Sequence, residues 1–296
     1  YLNIPIKKLE KIIICFGLLY ILLYFYQYIN SGTIIFGKSL YGDEFTEERG
    51  TVRIIFPGAG IFILTIFIAI TKITNGAKNK LFWIAISSLG LLIPVMQVTR
   101  QFIVGVFLIY FFHFYKSSGH LKRVIVILFF TVGALIALQS EIPMIQGVID
   151  QGKNDANLGK NYIRVLAGEY YLKDFSPNIW SYIFGNGVPY WGESSYGKFI
   201  EALADERGYH LSDVGIIAVY SMFGIVAIMG FFLIWYKSFT LPIKEKYYYV
   251  KYYLWYILFT SLTWYSVYHY HYLVATLFAL YIYEKALQNE KRERVA

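Results

Sequence analysis

Cysteine is almost missing from this chain: Cys15 is the only one among 296 residues. A single thiol excludes an intramolecular disulfide and a cysteine-based metal site. Charge is scarce too, at 16% of residues, and it avoids the long apolar runs. Proline is rare, and the two prolines inside apolar runs, Pro57 and Pro94, lie near the ends of those runs. Together these absences leave little for a transporter, which places charges or broken helices near the bilayer midplane. There is no internal repeat, low-complexity tract, nucleotide-sugar loop or metal-binding triad. The start of the chain shows no signal-peptide pattern. It begins at Tyr1, just ahead of an apolar run, which predicts the C-terminal part of a longer protein. With a cytoplasmic native N-terminus, an even number of helices would precede it.

What is abundant is apolar surface. Hydrophobic residues make up 57% of the chain and the mean hydropathy is +0.48, which predicts an integral membrane protein. Eight apolar stretches fall at about 12–29, 54–70, 81–98, 102–115, 124–139, 214–236, 248–265 and 267–283. A bilayer core takes about 20 apolar residues per helix. The runs are continuous in polarity rather than alternating, so helices and not barrel strands are expected. The fold class expected is therefore an all-α polytopic membrane protein with about eight transmembrane helices and one large helical loop. Residues 1–139 would hold five helices, 140–211 the extracytoplasmic loop, and 212–296 three helices and a cytoplasmic tail.

Charge placement sets the expected orientation. With the N-terminus inside, the inner segments carry 17 basic and five acidic residues, and the outer segments 10 basic and 14 acidic. That is a positive-inside pattern. It accounts for the pI of about 9.2 without nucleic acid as a partner. Both ends of this chain are then cytoplasmic and the protein is multi-pass. The apolar run 81–115 contains one charge, Arg100. Read as a hairpin turning near Thr99-Arg100-Gln101, it keeps the lysine cluster at 116–123 inside and Arg100 at the outer mouth. The tyrosines of 247–256 read as an interfacial belt at the inner face.

The loop at 140–211 carries two amphipathic helical patterns, at about 161–173 and 196–207. Between them Gly185-Asn186-Gly187 marks a tight turn, because glycine permits positive φ and close backbone approach. Trp180, Tyr182, Tyr190 and Trp191 surround that turn. Aromatics there serve either as an interface belt or as platforms for sugar rings. The loop ends in His210-Leu-Ser-Asp213, where Ser212 or Asp213 can cap the next helix. His210 is the only histidine of the loop. His269 and His271 lie two residues apart at the outer turn of the last hairpin; two histidines are weak evidence for a metal site, and lining the substrate cavity is the other reading. Glu169 and Glu193 read as solvated loop charges, with Arg207 pairing to Asp205, Glu206 or Asp213.

Three motifs resemble the O-antigen ligase and polymerase superfamily, which includes bacterial polysaccharide repeat-unit polymerases. Thr99-Arg100-Gln-Phe-Ile-Val-Gly105 is similar to its Ser-Arg-Gly-type motif, with Gln101 in place of the usual small residue. Arg164 followed by Phe184-Gly185-Asn186-Gly187 resembles its loop arginine ahead of a Gly-x-Gly. His210-Leu-Ser-Asp213 leading to Gly224-Ile225 resembles its His/Asn/Asp start of a helix. The similarity covers about 81–235. It implies a glycosyltransferase in the bacterial cytoplasmic membrane whose substrate is an undecaprenyl-diphosphate-linked oligosaccharide.

A lipid diphosphate needs fixed positive charge at the membrane surface, and arginine supplies a permanent planar cation. Arg100 and Arg164 are the expected diphosphate ligands. Arg53 is a third, unless its side chain only snorkels to the headgroups. His210 suits a general base for the acceptor hydroxyl, since an unperturbed imidazole titrates near 6.5. Asp213 would orient it or serve as base itself. Gly185, Asn186, Gly187 and Trp191 are the expected glycan-contacting residues. The reading implies no cofactor and no metal. Its partners are the lipid-linked glycan and the bilayer, and it accommodates a chain-length regulator. Polymerase and ligase share these motifs, so transfer of finished glycan to lipid A core or to protein stays open, as does a transporter or flippase.

Overall fold

Nearly all of the apolar sequence becomes helix. The computed structural model describes residues 3–38, 47–48, 51–190 and 193–295. Trp191, expected to contact glycan, lies outside the described residues. The helices are α1 (Ile6–Ile29), α2 (Ala59–Thr74), α3 (Lys80–Met96), α4 (Arg100–Ser117), α5 (His120–Leu138) and α6 (Pro143–Leu158). They continue as α7 (Ile163–Lys173), α8 (Ile179–Phe184), α9 (Ser195–Arg207), α10 (Ile216–Thr240), α11 (Tyr248–Ser261) and α12 (Tyr270–Val295). The one sheet among the described residues is a two-residue antiparallel pairing, β1 (Glu47–Glu48) with β2 (Thr51–Val52). The fold is all-α, and α1, α5 and α10 are long and apolar enough to cross a membrane. Helices α2 and α3 are apolar but shorter. Each of the eight apolar stretches contains a helix, but length and composition support crossing for these three.

The chain forms two compact units. One is Tyr1–Gln151 with Leu241–Tyr256 and Tyr270–Ala296; the other is Gly152–Thr240 with Ile257–His269. Most of the 140–211 segment thus packs in one unit with the apolar helix α10. That segment is also more helical than its sequence pattern predicts. Besides α7 and α9, which match the expected pair, it contains α6 and α8.

In the first unit α2 is the central helix. Its residues 62–71 are buried without interruption, as expected for a helix that is apolar all round. Gly17 of α1 and Gly90 of α3 let those helices come close, each facing an α2 side chain, Thr65 and Ile66. The run 81–115 does turn as a hairpin: α3 and α4 are antiparallel, with Ser87 Oγ 3.2 Å from the Tyr110 hydroxyl. The turn places Val98 at φ 53 with its side chain fully buried. A β-branched residue rarely adopts that conformation, so packing must hold it there. Helix α5 contrasts with α2: none of its residues is buried, which suits a lipid-facing surface.

The tyrosine cluster departs from expectation. Tyr249, Tyr252, Tyr253 and Tyr256 are not an interfacial belt but core residues, each at most 2% exposed. Their spacing of three, four and seven residues is one helix face. Inside, the hydroxyls of Tyr249, Tyr252 and Tyr253 meet polar partners. Tyr249 donates to Glu10 Oε1 at 2.7 Å, and Glu10 Oε2 takes the Lys72 ammonium at 3.0 Å. Tyr252 lies 3.1 Å from His113 Nδ1, and Tyr253 donates to the Tyr272 carbonyl at 3.0 Å.

The Glu10 carboxylate ties α1, α2 and α11 together, so its loss should be felt globally. Glu10→Ala is expected to lower stability by about 1–3 kcal/mol, since a buried hydroxyl and a half-buried ammonium lose their acceptor. Tyr249→Phe should cost about 1 kcal/mol. Thermal unfolding of the detergent-solubilised chain reads both, and unchanged midpoints would show that the cluster carries no weight.

Candidate functional site

The second unit is organised by a break in an apolar helix. Within α10, Gly224 adopts φ 74, ψ −178, far from helical values. Such a break strands carbonyls that the helix would otherwise bond, and a polar group left unpaired in apolar surroundings costs several kcal/mol. The turn after α8 supplies the missing donors. Asn186 N–H donates to the Ser221 carbonyl and Gly187 N–H to the Met222 carbonyl, both at 2.9 Å. The Asn186 side-chain amide adds a second bond to the Ser221 carbonyl at 3.0 Å and one to Ser176 Oγ at 3.2 Å.

The expected tight turn at 185–187 is therefore present, and its glycines have a specific reason. Gly185 and Gly187 have φ 83 and 84. A Cβ on Gly185 would lie 2.1 Å from the Met222 carbonyl oxygen, and one on Gly224 would lie 2.1 Å from the Ile183 carbonyl oxygen. Two backbones thus meet face to face, and only glycine fits on either side. Around Gly187 there is open space, so its requirement is conformational alone.

This clamp fixes the turn after α8 to the first half of α10, which also packs on α7. Gly168 faces Ile217, and Ser221 Oγ reaches the Tyr171 carbonyl at 3.5 Å. Helix α7 therefore runs alongside α10, and its first turn stands beside the start of α10. That brings Arg164 Nη2 within 3.1 Å of Asp213 Oδ2. Two of the expected site residues, far apart in sequence, meet there as a half-exposed ion pair. Asp213 lies in a short 3₁₀ turn, Leu211–Val214, rather than at the head of α10. Its carboxylate is not a helix cap: it takes Arg164 and, on Oδ1, the Ser212 hydroxyl at 3.3 Å. His210 precedes that turn and is exposed. The Asp213 carboxylate is thus engaged by Arg164 and Ser212, and not by the imidazole it was expected to orient. What holds His210 in place is the backbone beside it. The buried Tyr171 hydroxyl donates to the Tyr209 carbonyl at 2.9 Å. Burial pushes the Tyr171 phenol well above its ordinary pKa, so it stays a donor throughout the physiological range.

Other loop charges are accounted for locally. Glu169 and Lys173 form an exposed i,i+4 pair at 2.5 Å, which lowers the Glu169 pKa and raises that of Lys173. The Arg207 guanidinium stands 6.0 Å from the centre of the Tyr170 ring rather than on a carboxylate. The Glu169–Lys173 pair, fully exposed, contributes little to stability.

Arg100 and Arg53 belong to the first unit and are described there. Arg100 opens α4, directly after the turn at Val98. Arg53 Nη2 donates to Thr99 Oγ1 at 3.4 Å, so both arginines flank one threonine. In the same unit, His271 is packed against Tyr270, with ring centres 4.1 Å apart. Among the described residues no group of three or more His, Cys, Asp or Glu is placed to hold a metal ion.

Sequence reasoning missed the helix break and the donors that satisfy it. An isolated glycine inside an otherwise apolar helical run was the available signal. No family model, no curated protein and no solved structure matches this chain.

The clamp makes a graded prediction. Gly185→Ala and Gly224→Ala should each destabilise the chain by about 3 kcal/mol or more, combining overpacking with an unfavourable φ. Gly187→Ala should cost only about 1–2 kcal/mol, because it meets no neighbour. Yield and unfolding temperature of the three variants would rank them, and equal losses would show that backbone contact is not the constraint.

Proposed function

We propose that this chain is a membrane glycosyltransferase that joins polyprenyl-diphosphate-linked repeat units into a polysaccharide. The observation that carries the reading is the Arg164–Asp213 pair at 3.1 Å, held at the start of an apolar helix one turn from an exposed histidine. A guanidinium, a carboxylate and an imidazole beside a membrane helix are the groups this transfer needs. The order of the motifs along the chain supports the same reading.

In this reaction the acceptor sugar hydroxyl attacks the anomeric carbon of the donor glycan. The new C–O bond forms as the bond from that carbon to the lipid diphosphate breaks. His210 takes the hydroxyl proton. Arg164 leaves Asp213 for the diphosphate and stabilises the charge that grows on it. Asp213 holds the guanidinium in place until substrate arrives. An exposed pair is weak, about 0–1 kcal/mol, so a diphosphate with more charge can compete for the arginine. The resemblance assigns Arg100 to the same leaving group and leaves Arg53 as a further cation. About eight crossings, cytoplasmic ends and a loop on the outer face of the bacterial cytoplasmic membrane complete the proposal.

Arg164→Ala is expected to lower transfer by about 10²–10³ while protein level is kept. Glycan analysis of a deletion strain complemented with wild type or variant reads this. Lipid-linked glycan that stops at one repeat unit, rescued only by wild type, supports polymerisation. Full-length polymer stranded on its carrier would assign ligation instead, and unchanged glycan in the deletion strain would overturn both. The exchanged pair, Arg164→Asp with Asp213→Arg, separates chemistry from architecture. It should restore stability but not transfer, and full activity in that variant would reduce the pair to a structural contact.

A further inference from the structure

Helix α8 and the residues after it have no packing explanation for their outer face. Ile179, Trp180, Phe184, Val188 and Tyr190 are 48–68% exposed, and the segment 179–188 contains no charge. Trp180 and Phe184 stack on each other at 6.1 Å on that face. A soluble protein rarely shows so much contiguous aromatic surface.

The position of this face relative to α10 identifies what covers it. The backbone bonds from Asn186 and Gly187 fix α8 at the level of Ser221 and Met222. On α10 no large hydrophobic residue is exposed between 216 and 224, among the described residues. Immediately beyond the break the exposed stripe begins: Ile225, Val226, Met229, Phe232, Leu233 and Tyr236 are 44–66% exposed. This stripe belongs to a helix long and apolar enough to cross a bilayer. Above the break the companion helix α7 carries exposed charge among exposed Val165 and Leu172. The end of α7 runs beside Ser221 and exposes Glu169, Lys173 and Asp174. Exposed charge beside α10 thus reaches the level of Ser221, the uncharged stripe of α10 begins just past Gly224, and α8 lies at that change.

We infer that α8 is an interfacial element that rests in the bilayer surface, with Ile179, Trp180, Phe184 and Val188 inserted at the level of the headgroups and upper acyl chains. Tryptophan and tyrosine with apolar neighbours are the composition that settles there. The occupant is lipid rather than another protein, because the face is continuous with the α10 stripe that acyl chains cover. The glycine clamp then has a second consequence. It joins an in-plane helix rigidly to a transmembrane one and so sets the depth of the unit in the membrane. The Arg164–Asp213 pair stands on the water side of that boundary. This inference does not depend on the glycosyltransferase reading.

The test uses the full chain in nanodiscs, one copy per disc, with Cys15→Ser removing the native thiol. Trp180→Cys and Phe184→Cys are each labelled with an environment-sensitive fluorophore, and Glu206→Cys serves as the water-exposed reference. Both α8 labels should emit to the blue of the reference and resist iodide. Lipids spin-labelled high on the acyl chain should quench them more than lipids labelled near the bilayer centre. Emission and iodide quenching equal to the reference would overturn the inference. Protection that appears only when two copies share a disc would overturn it too, in favour of a contact between copies.

Discussion

A helix in an apolar environment cannot simply stop bonding its carbonyls. Much of the second unit follows from how this chain meets that constraint at Gly224. The break strands the carbonyls of Ser221 and Met222, and the backbone of 186–187 bonds both. For the two chains to approach this closely, Cβ must be missing from Gly185 and from Gly224. Once the approach is made, α8 is locked to α10, α7 is stacked beside it, and Arg164 is brought to Asp213. One pair of glycines thus sits upstream of both the candidate site and the apolar face of α8.

The first unit solves a related problem with side chains. Four tyrosines on one face of α11 bring hydroxyls into a core that also holds Glu10, Lys72 and His113. A buried hydroxyl without a partner is costly, and those of Tyr249, Tyr252 and Tyr253 find carboxylate, imidazole and carbonyl partners. The result binds helices far apart in sequence through specific geometry rather than through apolar contact alone.

How much of this was legible varies with the range of the interaction. Helices could be read from continuous apolar runs, and the hairpin in 81–115, with its turn expected near 99–101, from the charge pattern that a hairpin keeps. The Gly185-Asn186-Gly187 turn was legible because glycine at that density has local meaning. The partner of that turn was not, since nothing in residues 185–187 says which backbone they approach. The tyrosines of 249–256 were misread for a different reason. Composition alone matches an interface belt, and only their three-four periodicity separates a buried face from a ring around the helix. For Arg164 and Asp213, sequence order named both residues but assigned Asp213 to a helix cap or to His210. Local chemistry favours those partners, and the parallel stacking of α7 on α10 overrides it.

The ion pair at the site carries a final implication about what the fold is for. A half-exposed pair contributes about 1 kcal/mol or less, well below the clamp. Stability therefore gives no strong reason to place an arginine and an aspartate there. The features that only glycine permits, the close approach at Gly185 and Gly224 and the broken helix, lie about three turns along α10 from Asp213 and determine where this weak pair stands. A rigid scaffold that holds a weakly held cation beside a membrane helix is suited to release that cation to a stronger anion. The backbone contact at Gly224 and the weakness of the Arg164–Asp213 pair are then two parts of one arrangement, the first fixing position and the second leaving the charge available.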